Sequence, residues 1–86
     1  MTRKEQLIDT FEKAIDRGAR YIGVLIEVPN IEYPELIITP RSNFENRLEA
    51  YRESFNDDLI SNQDSLIRIV DFTYEYGLED IERVLL

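Results

Sequence analysis

One segment constrains this chain more than any other: Tyr21-Ile-Gly-Val-Leu-Ile-Glu-Val28, an apolar run closed by Pro29. Its even positions, Ile22, Val24, Ile26 and Val28, are all β-branched. Side chains alternate across a strand, so the run predicts a strand with one face committed to the core. The odd face carries Tyr21, Gly23, Leu25 and Glu27, which implies partial cover there too. Pro29 removes a ladder donor and ends the strand. Gly23, in mid-strand, marks a bulge or a close approach by another element, and packing is the simpler reason for it.

The rest of the chain supplies partners for that strand. Thr2-x-x-Glu5 is a capping box, and Leu7, Ile8, Phe11, Ala14 and Ile15 follow at helical spacing. A helix from about residue 3 to 17 is expected, stopped by Gly18. A seven-residue connection, Pro29 to Glu35, leads to a second short strand, Leu36 to Thr39, closed by Pro40. It displays Ile31 and Tyr33, which are expected to fold back over the sheet edge; left exposed, they would form a recognition loop. Ser42-x-x-Glu45 repeats the capping-box pattern. Phe44, Leu48, Tyr51 and Phe55 then predict an aromatic-striped helix over about 43–57. Ser61 to Asp64 clusters turn formers and reads as a loop.

Leu66 to Tyr74 reads as a third strand with an ambiguous register. Leu66, Val70 and Phe72 share a face with Arg68, while Ile67 and Ile69 share the other with Asp71. After Gly77 a short helix turns Leu78, Ile81 and Leu85 inward and places Glu79 and Asp80 in its first turn, where the helix dipole favours acids. The order is helix, strand, strand, helix, strand, helix. The right-handed crossover rule makes strands two and three parallel within one sheet. The fold class is therefore α+β: one domain over residues 1–86, with a small three-stranded antiparallel-type sheet in the order 2-1-3 and helices packed on one face.

Composition agrees that the chain folds: 28 of its 86 residues are Ile, Leu, Val or Phe, well above the share in disordered chains of high charge. It also narrows function. The chain has neither cysteine nor histidine, which removes thiolate chemistry, the commonest zinc ligands and every histidine-based triad. Its three glycines stand at 18, 23 and 77, so there is no phosphate-cradling loop. Carboxylates abound, but no spacing singles out an acid–base pair. Asp57 and Asp58 with Asn62 and Asp64 resemble a calcium loop, yet the alternation and central glycine are missing, and a turn is the better reading. A non-enzyme without cofactor or metal is expected. The apolar runs are too short to span a bilayer, and the charged amino end is unlike a secretion signal, so the expected location is the cytoplasm.

Charge placement says most about partners. The net charge is −8, and residues 57–86 hold eight acids against Arg68 and Arg83 alone. With no cluster of Lys and Arg, direct nucleic-acid binding is not expected. The candidate partner surface is Asp71, Tyr74, Glu75, Tyr76, Glu79, Asp80 and Glu82, an acidic field with tyrosines of the kind enriched at interfaces. It suits a host or phage protein with a basic groove, in the manner of a nucleic-acid mimic. The plain alternative is surface charge that keeps a small protein soluble. A second class of function is a structural or assembly accessory protein, a monomer or weak homodimer that self-associates through a sheet edge or the aromatic stripe of the second helix.

The stretch Pro34-Glu-Leu-Ile-Ile-Thr-Pro-Arg-Ser-Asn-Phe-Glu-Asn-Arg-Leu-Glu-Ala-Tyr-Arg-Glu-Ser-Phe-Asn-Asp-Asp-Leu59, together with Ile69-Val-Asp-Phe-Thr-Tyr74, resembles small uncharacterised proteins of prophages and integrative elements in low-GC Gram-positive bacteria. The resemblance covers roughly half the chain and implies a mobile-element context in a bacterial cytoplasm. It implies no activity and no site residue.

The charge map yields a physical expectation. Eight acids against two bases over residues 57–86 repel one another in a compact fold, and salt screens that repulsion. The melting temperature should rise between low and moderate sodium chloride concentrations; a flat response in a calorimetric salt series would mean that the native structure already disperses these charges.

Overall fold

A computed structural model describes all of residues 1–86. The elements are α1 (Arg3–Arg17), β1 (Tyr21–Glu27), β2 (Glu35–Pro40), a 3-10 turn (Arg41–Asn43), α2 (Phe44–Ser54), β3 (Arg68–Glu75) and α3 (Leu78–Leu85). The three strands form one sheet in the order β2-β1-β3, and β1 is antiparallel to both neighbours. Element order and sheet topology are those expected from sequence. No helix is long and apolar enough to cross a membrane.

The helices, however, do not share one face. Ile22, Val24 and Ile26 of β1 pack with Leu7, Phe11 and Ala14 of α1 and with Phe44 and Tyr51 of α2. Leu25 faces the other way, into a second cluster with Ile81 and Leu85 of α3. The sheet is thus sandwiched, with α1 and α2 on one side and α3 on the other. The reason lies in β1: both its faces are apolar, and a single helical layer leaves Leu25 in water. Gly23 makes the second layer possible. A Cβ built on it would stand 2.5 Å from Ile81 Cγ2 and 2.9 Å from Leu85 Cδ1, so α3 occupies the space that any side chain would need. Leu78, expected inward, is instead 48% exposed, because Ile81 and Leu85 alone reach the sheet.

The ambiguous register of β3 resolves into a bulge. Val24 stands opposite Phe72 and Leu25 opposite Asp71, but Ile26 stands opposite Ile69. Val70 is the extra residue, and two residues of β3 answer one interval of β1. Ile69, Phe72 and Tyr74 therefore all pack toward α1 and α2, although their spacing is not strictly even, while Val70 packs toward α3. Arg3 seals the bulge: its guanidinium donates to the Val70 carbonyl at 3.0 Å and lies 5.0 Å from the centre of the Phe72 ring.

Helix ends are closed partly as expected. The Thr2 hydroxyl accepts from the Glu5 N–H at 3.0 Å, and the Glu5 carboxylate accepts from the Thr2 N–H at 2.9 Å. Hydrogen bonding from Thr2, its backbone N–H first and its side chain second, holds the Glu5 carboxyl below its ordinary pKa. Gly18 adopts φ 71° at the other end. The predicted second capping box does not form. Ser42 lies in the 3-10 turn, and α2 starts from Asn43 without a side-chain cap. The turn is drawn away by Arg41, whose guanidinium donates to the carbonyls of Ala14, Ala19 and Ile15 at 3.3, 3.0 and 3.1 Å. A cation there satisfies carbonyls at the negative end of α1.

Helix α2 ends at Ser54, three residues before expectation, because Phe55 turns extended and enters the core. The Asn56 side-chain oxygen then accepts from the N–H groups of Asp58 and Ile60 at 2.9 and 3.0 Å. This tight loop forces Leu59 to φ 60° with its side chain fully buried. That conformation costs a non-glycine residue roughly 1–2 kcal/mol, which the buried side chain offsets. The third strand begins at Arg68 rather than Leu66, which projects into solvent at 67% exposure. Ile31 and Tyr33 do not fold back: they are 52% and 73% exposed at the tip of the β1–β2 connection.

Two substitutions test this packing. Gly23→Ala should lower the unfolding free energy in urea by about 1–3 kcal/mol, the usual cost of overpacking, with amide shifts concentrated in α3. Tyr51 is buried in edge-to-face contact with Phe11 and Phe55, and its hydroxyl has no hydrogen-bond partner. Tyr51→Phe should therefore leave stability unchanged or raise it by up to about 1 kcal/mol. Burial pushes the Tyr51 phenol above its ordinary value of 10.0, against a smaller opposing pull from Arg47. Its folded pKa lies above its unfolded one, so stability is intact below the ordinary value and falls as pH rises past it. The Phe variant should lose part of that alkaline decline, measured by urea unfolding at successive pH values.

Candidate functional site

The seven residues predicted to form a partner surface divide between the two sides of the sheet. Side chains directly opposite one another on antiparallel strands share a face. Asp71 stands opposite Leu25 and Glu75 opposite Tyr21, so both lie on the side covered by α3. Thr73 joins them there and donates to the Glu75 carboxylate at 3.1 Å. Asp71 is exposed, and its carboxylate accepts from the Phe72 N–H at 2.8 Å. Glu79, Asp80 and Glu82 are carried by α3 itself. Five acids therefore lie on or beside one helix layer.

The acids on α3 are weakly engaged. Asp80 meets Arg83 at 3.4 Å across an exposed i,i+3 pair, and this is the only ion pair among the five. Such pairs contribute little and are screened by salt. Glu79 and Asp80 also lie in the first turn of α3, whose amino end lacks a side-chain cap, so their charge favours the helix dipole. Structural support and surface charge coincide at these two positions.

The tyrosines belong elsewhere. Tyr74 stands opposite Ile22 on the α1 side, and its hydroxyl accepts from the Arg17 guanidinium, which lies 5.8 Å from the ring centre. Tyr76 lies beyond the end of β3 and donates its hydroxyl to the Arg17 carbonyl at 2.9 Å. Both phenols clasp the last turn of α1. Donating to the Tyr74 hydroxyl holds the Arg17 guanidinium above its ordinary pKa. Tyr74 is thus removed from the candidate surface. Tyr76 is 53% exposed and stays within it.

Tyr76 and the helix acids meet at one place. An open depression of about 430 Å3 is lined by Tyr76, Leu78, Glu79 and Asp80 together with Arg20 and Tyr21. Leu78 and Val84 add exposed apolar area on α3, and this is a feature that charge counting missed. The sequence signal was present, since Leu78, Ile81, Val84 and Leu85 make α3 more apolar than two buried contacts require.

Two other candidates have clear outcomes. The aromatic stripe of α2 is consumed by the core: Phe44, Tyr51 and Phe55 are buried against Phe11 and one another. Asp57 and Asp58 are exposed in the tight loop after Phe55, where the Asp57 carbonyl accepts from the Lys4 N–H at 3.0 Å. No three acidic side chains converge closely enough to hold a metal ion, there or elsewhere. No known protein family matches the chain, and no curated protein or solved structure matches it either.

Proposed function

We propose that this chain is a non-catalytic, protein-binding accessory of a phage or mobile element that docks a basic protein surface through its α3 layer. The observation that carries the reading is the convergence of Asp71, Glu75, Glu79, Asp80 and Glu82 on or beside α3, opposed by Arg83 alone among their ion-pair partners. Exposed Leu78 and Tyr76 at the edge of the same depression supply the apolar contact that a charged rim lacks. Charge of one sign steers encounter, and an aromatic or aliphatic anchor slows release. A nucleic-acid-handling protein is the sharpest partner class, since its groove already binds a polyanion. The resemblance to prophage and integrative-element proteins supports the context, and the cytoplasm of a low-GC Gram-positive bacterium is the proposed location.

The test compares two immobilised proteins over the same bacterial lysate. One is the native chain; the other carries Asp71→Asn, Glu75→Gln, Glu79→Gln and Asp80→Asn, with its fold confirmed by circular dichroism. A partner that elutes from the native column at moderate salt, is absent from the variant column, and is displaced by free duplex DNA is the expected result. Equal retention on the folded variant would remove the acidic surface from the account.

A further inference from the structure

The outer edge of β2 is the less protected of the two sheet edges, and its donors and acceptors are arranged to fit a copy of themselves. The Arg41 N–H donates to the Arg20 carbonyl at 2.8 Å, in register with the β1–β2 ladder. In an antiparallel ladder alternate residues point their N–H and C=O groups at the partner strand. Thr39, Ile37 and Glu35 therefore bond to β1, while Leu36 and Ile38 turn theirs outward. Pro34 and Pro40 hold the next outward positions and have no N–H to offer.

The outer edge of β3 contrasts with this one from Ile69 to the Phe72 N–H. Its Ile69 N–H is taken by the Leu59 carbonyl at 2.9 Å, its Val70 carbonyl by Arg3 at 3.0 Å, and its Phe72 N–H by the Asp71 side chain at 2.8 Å. A bulge also bends it. These are devices that hinder strand addition; β2 carries a proline at either end and none of the other devices between them.

We propose that two copies of this chain pair through β2, antiparallel about a two-fold axis at Ile37, to make one six-stranded sheet. That register places Leu36 opposite the partner's Ile38 and Ile38 opposite the partner's Leu36, so all four outward N–H groups and their four carbonyls are satisfied. Each Pro34 meets the partner's Pro40, and neither leaves a donor stranded. Shifting the axis to Leu36 or to Ile38 also gives four bonds, but it sets both Ile38 or both Leu36 residues opposite a proline and leaves their carbonyls without a donor. No like charges meet across the pair, since Glu35 falls opposite the partner's Thr39.

Side chains support the same occupant. Leu36 and Ile38 are half-buried against the Leu25–Ile81–Leu85 cluster, on the side of the sheet where α3 lies over β1 and β3. Pairing brings two such Leu–Ile sets together and extends each small cluster across the junction. An unrelated extended peptide could use the same four hydrogen bonds and could also donate to the Pro34 and Pro40 carbonyls; what favours a second copy is that its own Leu36 and Ile38 bring a matching apolar set to the junction.

The test is register-specific. Sedimentation equilibrium of the native chain should show a concentration-dependent dimer. Leu36→Lys alone and Ile38→Glu alone should each be monomeric, since each sets two charges against apolar partners. An equimolar mixture should dimerise again, because Lys at 36 then faces Glu at 38 across one half while Ile38 faces Leu36 across the other. A native chain that stays monomeric to its solubility limit, or a mixture of folded variants that fails to associate, overturns the proposal. Hydrogen exchange on the native chain gives an answer even if a variant unfolds. Exchange of the Leu36 and Ile38 amides should slow as concentration rises while that of Ile37, bonded to β1, stays constant; concentration-independent exchange of all three overturns it.

Discussion

Everything else in this fold depends on β1 being covered on four sides. Its two edges are hydrogen-bonded to β2 and β3, and its two faces are roofed by helices that never touch each other through it. Five consecutive residues, Ile22 to Ile26, are consequently buried, a pattern normally found in parallel sheets of larger proteins. A chain of this length has few helices to spend on a second layer. Gly23 resolves the difficulty by letting α3 sit so close that eight residues are enough to cover the far face. The small size of α3 and the missing side chain at position 23 are one solution to one constraint.

Long-range hydrogen bonds then tie peripheral segments to that centre. Arg41 reaches back from the end of β2 to close the carboxyl end of α1, while Arg3 at the other end of α1 holds the bulge in β3. The loop after Phe55 accepts an N–H from the first turn of α1 and bridges to the start of β3 through Leu59. Helix α1 is in this way anchored at both ends by residues distant in sequence. Arginine suits these places because a planar guanidinium bonds several carbonyls at once while its stem lies along apolar surface.

What the sequence disclosed follows the range of the interactions involved. Local signals were legible: the Thr2–Glu5 capping box, the Gly18 stop and the alternation of β1 act within a few residues and appear as read. The antiparallel sheet followed from chain direction and handedness. What failed was decided across the fold. Ser42 carries the pattern of a cap, but Arg41 is committed to α1 and takes the chain into a tighter turn. The third strand looked ambiguous because each register is correct for half of it, and only pairing with β1 locates the bulge at Val70. The candidate surface was half legible. Its acids cluster because they follow one another along β3 and α3, whereas Tyr74 is drawn to the opposite side by strand parity and by Arg17.

The two proposed surfaces are related through the geometry of the sheet. A two-fold axis that pairs antiparallel strands stands perpendicular to the sheet, so it keeps like faces together. Pairing at β2 would therefore place both copies of α3, and both sets of acids, on the same side of a continuous sheet. Two consequences oppose each other. A partner with repeated basic sites would meet two acidic helices at fixed separation, and avidity would raise apparent affinity without any new contact. The same charges repel across the junction, so pairing through apolar residues and backbone should strengthen with salt while docking on the acidic face weakens. Opposite salt dependence is thus intrinsic to a chain whose open edge is apolar and whose neighbouring face is acidic, and it separates self-pairing from partner docking on physical grounds alone.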